Sequence, residues 1–190
     1  SNLWDVVFGW SDGPEQKIAA ALVTARRAVA LDPRDPAAHD ALAFAYVMAG
    51  DAQNGLDSAR RAVDLNPSMP EAWVLLAYAQ LMSGDPDSSI ASNRRAQQLN
   101  PQGPMASLAY DSLAMAYWET GRYEASIEAA RRLVAARPTY YWGHLYLALN
   151  AVALGHLDEA RAAIAEARRV QPNLSLEMIQ RSLGVSRPEI

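Results

Sequence analysis

The residues of this chain that could do chemistry are three histidines and a recurring pair of arginines. Histidine transfers protons near neutral pH and binds metal ions. However, His39, His144 and His156 lack the clustered, fixed spacing of metal ligands, and the chain has no cysteine. The sequence also contains no glycine-rich phosphate-binding loop and no nucleophile elbow. We therefore expect no catalytic site, no metal and no cofactor.

The arginine pairs recur along the chain, and such pairs could form a cationic ladder that binds nucleic acid or anionic lipid. The alternative is a solvated helix face on which each arginine pairs with a nearby Asp or Glu. The net charge of −4 does not suggest a general nucleic-acid or membrane-surface binder, so we expect no nucleic-acid partner. The pairs are Arg26-Arg27, Arg60-Arg61, Arg94-Arg95 and Arg131-Arg132.

The elements that carry these residues repeat. Prolines recur at intervals of 34, 34, 37 and 34 residues, at Pro33, Pro67, Pro101, Pro138 and Pro172. A period of this length predicts stacked copies of one supersecondary unit. Each copy buries its apolar face only against its neighbours, which leaves one long surface for a partner.

Residues 36–67 show what one copy contains. Pro36 suits the first turn of a helix, and Gly50 suits the position just after its end. Asp51 can cap a second helix, which must stop before Pro67 because proline disfavours the helical conformation of the preceding residue. The sequence therefore predicts two short antiparallel helices in each copy, neither stable alone.

Aromatic, leucine and small residues recur at fixed places in the first helix of each copy. They read Trp73-x-x-Leu76-Ala77 in one copy and Tyr110-x-x-Leu113-Ala114-x-x-Tyr117 in the next. This pattern resembles the tetratricopeptide repeat (TPR) family, whose signature is W-x-x-L-G-x-x-Y, then A-x-x-x-F, then P. The departures are His39 and His144 for the aromatic residue, Gln80 and Ala151 for the tyrosine, and Asn93 for a large apolar residue.

The resemblance implies an all-α fold, a right-handed superhelical solenoid of antiparallel helix pairs with a C-terminal capping helix. We expect a single array across residues 1–190. Its expected parts are a partial repeat at 1–35, complete repeats at 36–69, 70–103, 107–140 and 141–174, and a capping helix at 175–184.

The two ends and one joint depart from the regular repeat. We expect Leu3, Trp4, Val7 and Phe8 to be the tail of a truncated helix in a fragment of a longer protein. Three extra residues within 102–106 either change the angle between two repeats or are a tolerated loop insertion. In the capping helix, Ser175 can cap the N-terminus, Leu176, Ile179 and Leu183 should share one face, and Gly184 should end it.

A narrower resemblance rests on several segments together. A loop of sequence Phe8-Gly9-Trp10-Ser11-Asp12 precedes residues 25–33, and the three-residue insertion comes later in the chain. Residues 121–125 and 155–162 are two further segments that match. The combination resembles the C-terminal TPR region of bacterial class III adenylate/guanylate cyclase-like multidomain regulators. It implies a regulatory or interaction part, not the catalyst.

In a TPR stack the first helix of each pair lines the concave face. Counting from the signature predicts an apolar groove with scattered acids and no Lys or Arg, although many such residues could instead pack on adjacent helices. We expect no clamp for a C-terminal carboxylate, which needs cations there. The predicted groove residues are Phe44, Val47, Met48, Val74, Tyr78, Leu81, Met82, Met115, Trp118, Leu145, Leu149 and Val152.

This groove favours a protein-interaction scaffold that binds an apolar peptide or helix with a basic flank. The alternative is a ligand-sensing or self-associating regulatory domain of a cyclase-like protein, so a homo-oligomer remains open. No run of eighteen apolar residues occurs, so we expect no membrane insertion. We expect a cytoplasmic location, with the periplasm as the other possibility.

Overall fold

The structure, a computed structural model, describes residues 14–182, and within that range the chain is helices joined by short turns. The predicted helix tail at Leu3 to Phe8, together with Leu183 and Gly184, lies outside the described residues. The all-α prediction is confirmed. The helices are α1 (Pro14–Leu31), α2 (Pro36–Met48), α3 (Ala52–Leu65), α4 (Pro70–Met82), α5 (Pro86–Leu99), α6 (Ala106–Glu119), α7 (Tyr123–Ala136), α8 (Tyr141–Ala153), α9 (Leu157–Val170) and α10 (Leu176–Ser182).

Short sequence signals set the helix starts. Asp35 accepts a hydrogen bond from the Ala37 amide at 2.9 Å and so caps α2. Asp51 and Asp85 cap α3 and α5 in the same way. Each cap gives an acceptor to an amide that has no partner within the helix, and it places a negative charge at the positive end of the helix dipole.

Glycine ends each first helix of a pair. Gly50, Gly84, Gly121 and Gly155 have φ of 75°, 80°, 71° and 79°. This left-handed conformation costs glycine little and strains other residues, so the reversal between the two helices of each pair occurs at a fixed place.

The helices stack in series. We call α2, α4, α6 and α8 the first helices, and α3, α5, α7 and α9 the second helices. Each second helix from α3 to α7 packs on its own first helix and on the next first helix along the chain, and α9 packs on α8. Successive first helices also contact one another, whereas successive second helices within residues 14–182 do not. The first helices therefore line the inner, concave side of the stack.

Alanines allow this close packing. Ala43, Ala77 and Ala114 are fully buried at equivalent places on first helices. Ala62, Ala96, Ala130 and Ala167 are buried at equivalent places on second helices. Small side chains let helix backbones approach, and Leu75, Leu108 and Leu133, each almost wholly buried, fill the remaining space.

Two fully buried asparagines make polar contacts between helices. Asn93, which departs from the family signature, donates to the Ser112 hydroxyl across the α5–α6 boundary at 2.8 Å. Asn150 donates to the Ser126 hydroxyl of α7 at 2.8 Å. These bonds fix one helix against another because a misplaced buried amide would lose its partner.

The joint and the C-terminal end differ in how much they pack. In the joint, Met105 is buried in the core, and α4 and α6 remain in contact across it. Ser175 accepts from the Met178 amide at 3.2 Å, as predicted for a cap. Ile179 packs against the last core cluster, whereas Leu176 is 70% exposed.

Candidate partner-binding face

The first helices contain no Lys or Arg, and their outward residues define the candidate site. Several predicted groove residues do not reach its surface. Val47, Val74, Leu81 and Leu145 are each no more than 5% exposed, because they point between neighbouring helices into the core. They support the groove wall from behind and cannot themselves contact a partner.

A second set of the predicted residues is half-buried. Phe44, Met48 and Tyr78 pack on the first core cluster, and Met115 packs on the second. Each leaves part of its side chain accessible. These four residues lie on α2, α4 and α6, so they continue the same apolar face along the stack.

The third set is exposed. Met82 is 41% exposed, Trp118 37%, Leu149 39% and Val152 57%. They lie in the C-terminal halves of three successive first helices, α4, α6 and α8, which contact one another. We call these four residues the apolar stripe. Large apolar side chains on one face of adjacent helices form the kind of patch that marks interaction surfaces.

A buried carboxyl group lies behind this face. Asp111 of α6 is only 4% exposed, and Tyr78 of α4 donates to its Oδ2 atom at 3.4 Å. Its Oδ1 atom has no hydrogen-bond partner among the described residues. Burial raises the pKa of Asp111 to about 7, although hydrogen bonds from Tyr146 and Tyr78 act in the opposite direction.

Tyrosines surround Asp111. Burial, followed by the nearby Asp111 charge, raises the pKa of Tyr78 and Tyr146, so both stay neutral donors. The pKa of Tyr140 is raised for the same leading cause. Tyr78 was predicted from the sequence as a groove residue, but Tyr140 and Tyr146 were not, because Tyr140 precedes α8 and Tyr146 lies outside the repeating groove positions of that helix.

Two further acids lie on the first helices. The Oδ1 atom of Asp40 is buried without a partner among the described residues. Burial, then repulsion from Glu71, raises the pKa of Asp40 to about 7. Burial also raises the pKa of Glu119. The face therefore combines exposed apolar groups with acids that have no neighbouring cation on the same helices.

The arginines lie on the second helices and in the turns, where several form local pairs. Arg132 contacts Glu128 at 2.9 Å within α7, and Arg122 contacts Asp87 at 2.8 Å across two pairs. Arg26 instead donates to the Tyr46 hydroxyl. These contacts match the solvated-face interpretation more closely than a free cationic ladder.

The histidines of the first helices have structural contacts. Trp73 Nε1 donates to the Pro67 carbonyl at 2.9 Å, and His39 Nε2 lies 3.0 Å from the equivalent Pro33 carbonyl. His144 is placed in the same way, at 3.5 Å from the Pro138 carbonyl. The histidine ring nitrogen thus takes the position of the tryptophan Nε1 atom, next to the carbonyl of the proline six residues earlier.

Neither a metal centre nor a bilayer span emerges from residues 14–182. That part of the chain holds no group of three His, Cys, Asp or Glu side chains arranged for a metal ion. Its helices are all too short or too polar to cross a bilayer.

Parts of the sequence match known protein families. Two models described as tetratricopeptide repeat match residues 41–104 and 108–140, together just over half of the chain. No curated protein matches the sequence. Neither model indicates a catalytic family, and neither supports the narrower cyclase-associated resemblance.

Solved structures share the architecture. PilW, a widely conserved type IV pilus biogenesis factor, has a TM-score of 0.74 and 19% identity, over 90% of this chain and 80% of that one. TTC0263, a thermophilic TPR protein of Thermus thermophilus, has a TM-score of 0.69 and 21% identity, over 90% and 92%. MamA has a TM-score of 0.67 and 21% identity, over 85% and 95%. At these identities the likeness supports the fold alone.

Proposed function

The chain belongs to the tetratricopeptide repeat family, whose members bind other proteins, and from this premise we propose that its concave face binds an apolar peptide or helix with a basic flank. The observation that carries the proposal is the apolar stripe. Met82, Trp118, Leu149 and Val152 are large, exposed and placed on three helices in contact. An amphipathic helix laid across them would bury its own apolar face in return.

The charge distribution supports the basic flank. Asp40, Glu71 and Glu119 lie on the first helices with part of their surface accessible, and those helices carry no Lys or Arg. A partner with lysine or arginine beside its apolar residues would meet acids and no opposing cation. An acidic partner, including a C-terminal carboxylate, would find no partner charge on this face.

The size of the stripe indicates how tightly it binds. Burying four large apolar side chains contributes on the order of 6–12 kcal/mol before costs. Association costs at least roughly 4 kcal/mol in lost freedom of motion. The difference is at most about 8 kcal/mol, so micromolar affinity is the upper limit for the stripe alone, which suits a reversible regulatory contact.

The test uses a displayed library of amphipathic helical peptides, half of them with lysine flanks. We expect the protein to select peptides with an apolar face and a basic flank. The double variant Trp118→Glu, Leu149→Glu should abolish their binding in calorimetric titration while the helical circular dichroism stays unchanged. A library without any selected peptide, or peptides that bind the double variant equally, would overturn the proposal.

Leu157→Glu is the matched control. Leu157 is 54% exposed like the stripe residues, but it lies at the start of the second helix α9. We expect this variant to bind the selected peptides as the parent does. Loss of binding in Leu157→Glu would mean that added negative charge, and not the concave face, governs recognition.

The alternative occupants of the face give different results in the same variants. If another copy of the chain covers the stripe, light scattering will show a mass that rises with concentration and falls in the double variant. If a small apolar ligand covers it, a thermal-shift screen will show ligands that raise the melting temperature of the parent and not of the double variant.

A further inference from the structure

A hydrogen bond between an arginine and a tyrosine recurs at two equivalent places along the stack. Tyr46 of α2 accepts hydrogen bonds from Arg26 of α1, at 3.3 Å from Nε and 3.2 Å from Nη2. The Arg26 guanidinium also lies 5.4 Å from the centre of the Tyr46 ring. Tyr117 of α6 accepts from Arg94 of α5 at 3.5 Å. In both cases a tyrosine of a first helix accepts from an arginine of the helix that precedes it in the chain.

Where α7 meets α8, the arginine is present but the tyrosine is missing. Ala151 stands at the place of Tyr46 and Tyr117, and Arg131 stands at the place of Arg26 and Arg94. Arg131 is exposed and has no hydrogen-bond or ion-pair partner within residues 14–182. The donor is therefore present without its phenolic acceptor.

An open crevice of about 270 Å³ lies at this place, between α7, α8 and α9. Its apolar lining includes Ile127, Leu147 and Ala151, and its polar lining is Arg131, His144, His156, Glu159 and Glu166. An engineered apolar cavity of about 150 Å³ already holds benzene. The space that a tyrosine ring takes in two other pairs is thus available to a ring from outside.

We propose that this crevice binds a phenolic ring, with the ring on Ile127, Leu147 and Ala151 and its hydroxyl accepting from Arg131. The same geometry holds Tyr46 and Tyr117 within the chain. On α8 the crevice uses His144, Leu147 and Ala151, whereas the concave face uses Leu149 and Val152. The two sites are therefore separate, and this one does not depend on the proposed function.

The other departure at the tyrosine place explains why α4 offers no such site. Gln80 stands there, and it accepts from the Ser92 hydroxyl of α5 at 2.7 Å. A side chain of the protein itself already occupies that position. Among the four equivalent residues of the first helices, which are Tyr46, Gln80, Tyr117 and Ala151, only Ala151 has a side chain without a polar group.

The experiment is a titration of the full chain with p-cresol, followed by amide NMR shifts, with toluene as the probe that lacks the hydroxyl. We expect p-cresol to shift the amides around Ala151 and His144 and to bind about fivefold more tightly than toluene, because one hydrogen bond to a charged donor is added. Failure of p-cresol to shift these amides would overturn the proposal.

Two variants locate the binding. Arg131→Gln should weaken p-cresol about fivefold and leave toluene unchanged, because only the phenol uses the guanidinium, whereas Arg95→Gln, at an exposed position of α5, should change neither. Ala151→Tyr should fill the crevice, block both probes and raise the melting temperature, whereas Ala91→Tyr should not block them. Equal p-cresol binding in the parent and in Arg131→Gln would contradict the assignment, even if Ala151→Tyr does not fold.

The source of the ring is resolved by a third probe, N-acetyltyrosine amide, in which the phenol is carried on a peptide backbone. Binding of both p-cresol and this probe supports a partner's tyrosine side chain as the natural occupant. Binding of p-cresol alone supports a free phenolic molecule. Both results support a phenolic site. If neither p-cresol nor N-acetyltyrosine amide binds, the crevice is not a phenolic site.

Discussion

The concave face and the face of the second helices differ in how their polar and apolar groups are satisfied. On the second helices, exposed arginines have partners close by, such as Glu128 for Arg132 and Glu166 for Arg169. On the first helices, one carboxyl oxygen each of Asp40 and Asp111 is buried without a hydrogen-bond partner among the described residues. Several exposed charges of the second helices are thus paired with one another, whereas the first helices hold buried carboxyl groups and carry no Lys or Arg.

This difference indicates where a partner is needed. A solvated ion pair gains little from further contacts, since exposed pairs are worth at most about 1 kcal/mol. Exposed Trp118 and Val152, by contrast, gain free energy whenever something covers them. The stack therefore places its exposed apolar stripe on the inner side and its ion pairs on the outer side.

The largest expected effect separates the core behind the concave face from the outer surface. Leu75→Ala in α4 removes a side chain with 0% exposure and should lower the free energy of unfolding by about 2–5 kcal/mol. Leu157→Ala in α9 removes an exposed side chain and should change it by less than about 0.5 kcal/mol. Urea denaturation followed by circular dichroism measures both, and similar losses in the two variants would show that the outer surface stabilises the fold as much as this core does.

The next effect is a pH dependence that originates on the concave side. The pKa of Asp111 rises from 3.8 to about 7 on folding, so the folded state keeps a proton that the unfolded state loses in this range. This contribution to stability is fully present below pH 3.8 and is lost as the pH rises to about 7. Tyr78 and Tyr146 face Asp111 and stay neutral throughout, and the pKa of Asp40 shifts in the same direction as that of Asp111.

Asp111→Asn checks this dependence. We expect it to flatten the fall in stability between about pH 4 and pH 7 and to be more stable than the parent at pH 8, by on the order of 2 kcal/mol. Asp64→Asn, at an exposed position of α3, should keep the slope of the parent. Chemical denaturation across this pH range measures the change, and an unchanged slope in Asp111→Asn would show that Asp111 is ionised in the folded state at neutral pH.

The smallest effect belongs to the outer surface. Arg122→Ala breaks the 2.8 Å contact with Asp87, in which the two side chains are 49% and 71% exposed. Because solvent screens such a pair, the free energy of unfolding should fall by no more than about 0.5 kcal/mol. The difference should vanish in about 1 M salt. A loss of several kcal/mol would mean that the outer charges support the stack as strongly as the inner core does.

The repeat made the fold predictable from the sequence. The proline period, Gly50 and Asp51 determined where helices begin and end, and each acts through local backbone chemistry. The alanines at equivalent places, such as Ala43 and Ala114, then required close helix packing. These signals need no knowledge of distant contacts.

The candidate site was less predictable because exposure depends on neighbouring helices. The repeat pattern predicted both Val74 and Tyr78 as groove residues. However, Val74 is buried between helices, whereas Tyr78 donates to Asp111 of the next pair. The crevice at Ala151 was visible in sequence only as a departure from the family pattern. That Arg131 lacks an acceptor there follows only from the contact between Arg26 and Tyr46 in the structure.

Hydrogen–deuterium exchange of the chain with and without a selected basic, amphipathic peptide reports which helices the peptide covers. We predict slower exchange in the C-terminal halves of α4, α6 and α8, which carry the apolar stripe, and unchanged exchange in α5, α7 and α9. Slower exchange confined to those second helices, with the first helices unaffected, would contradict the account.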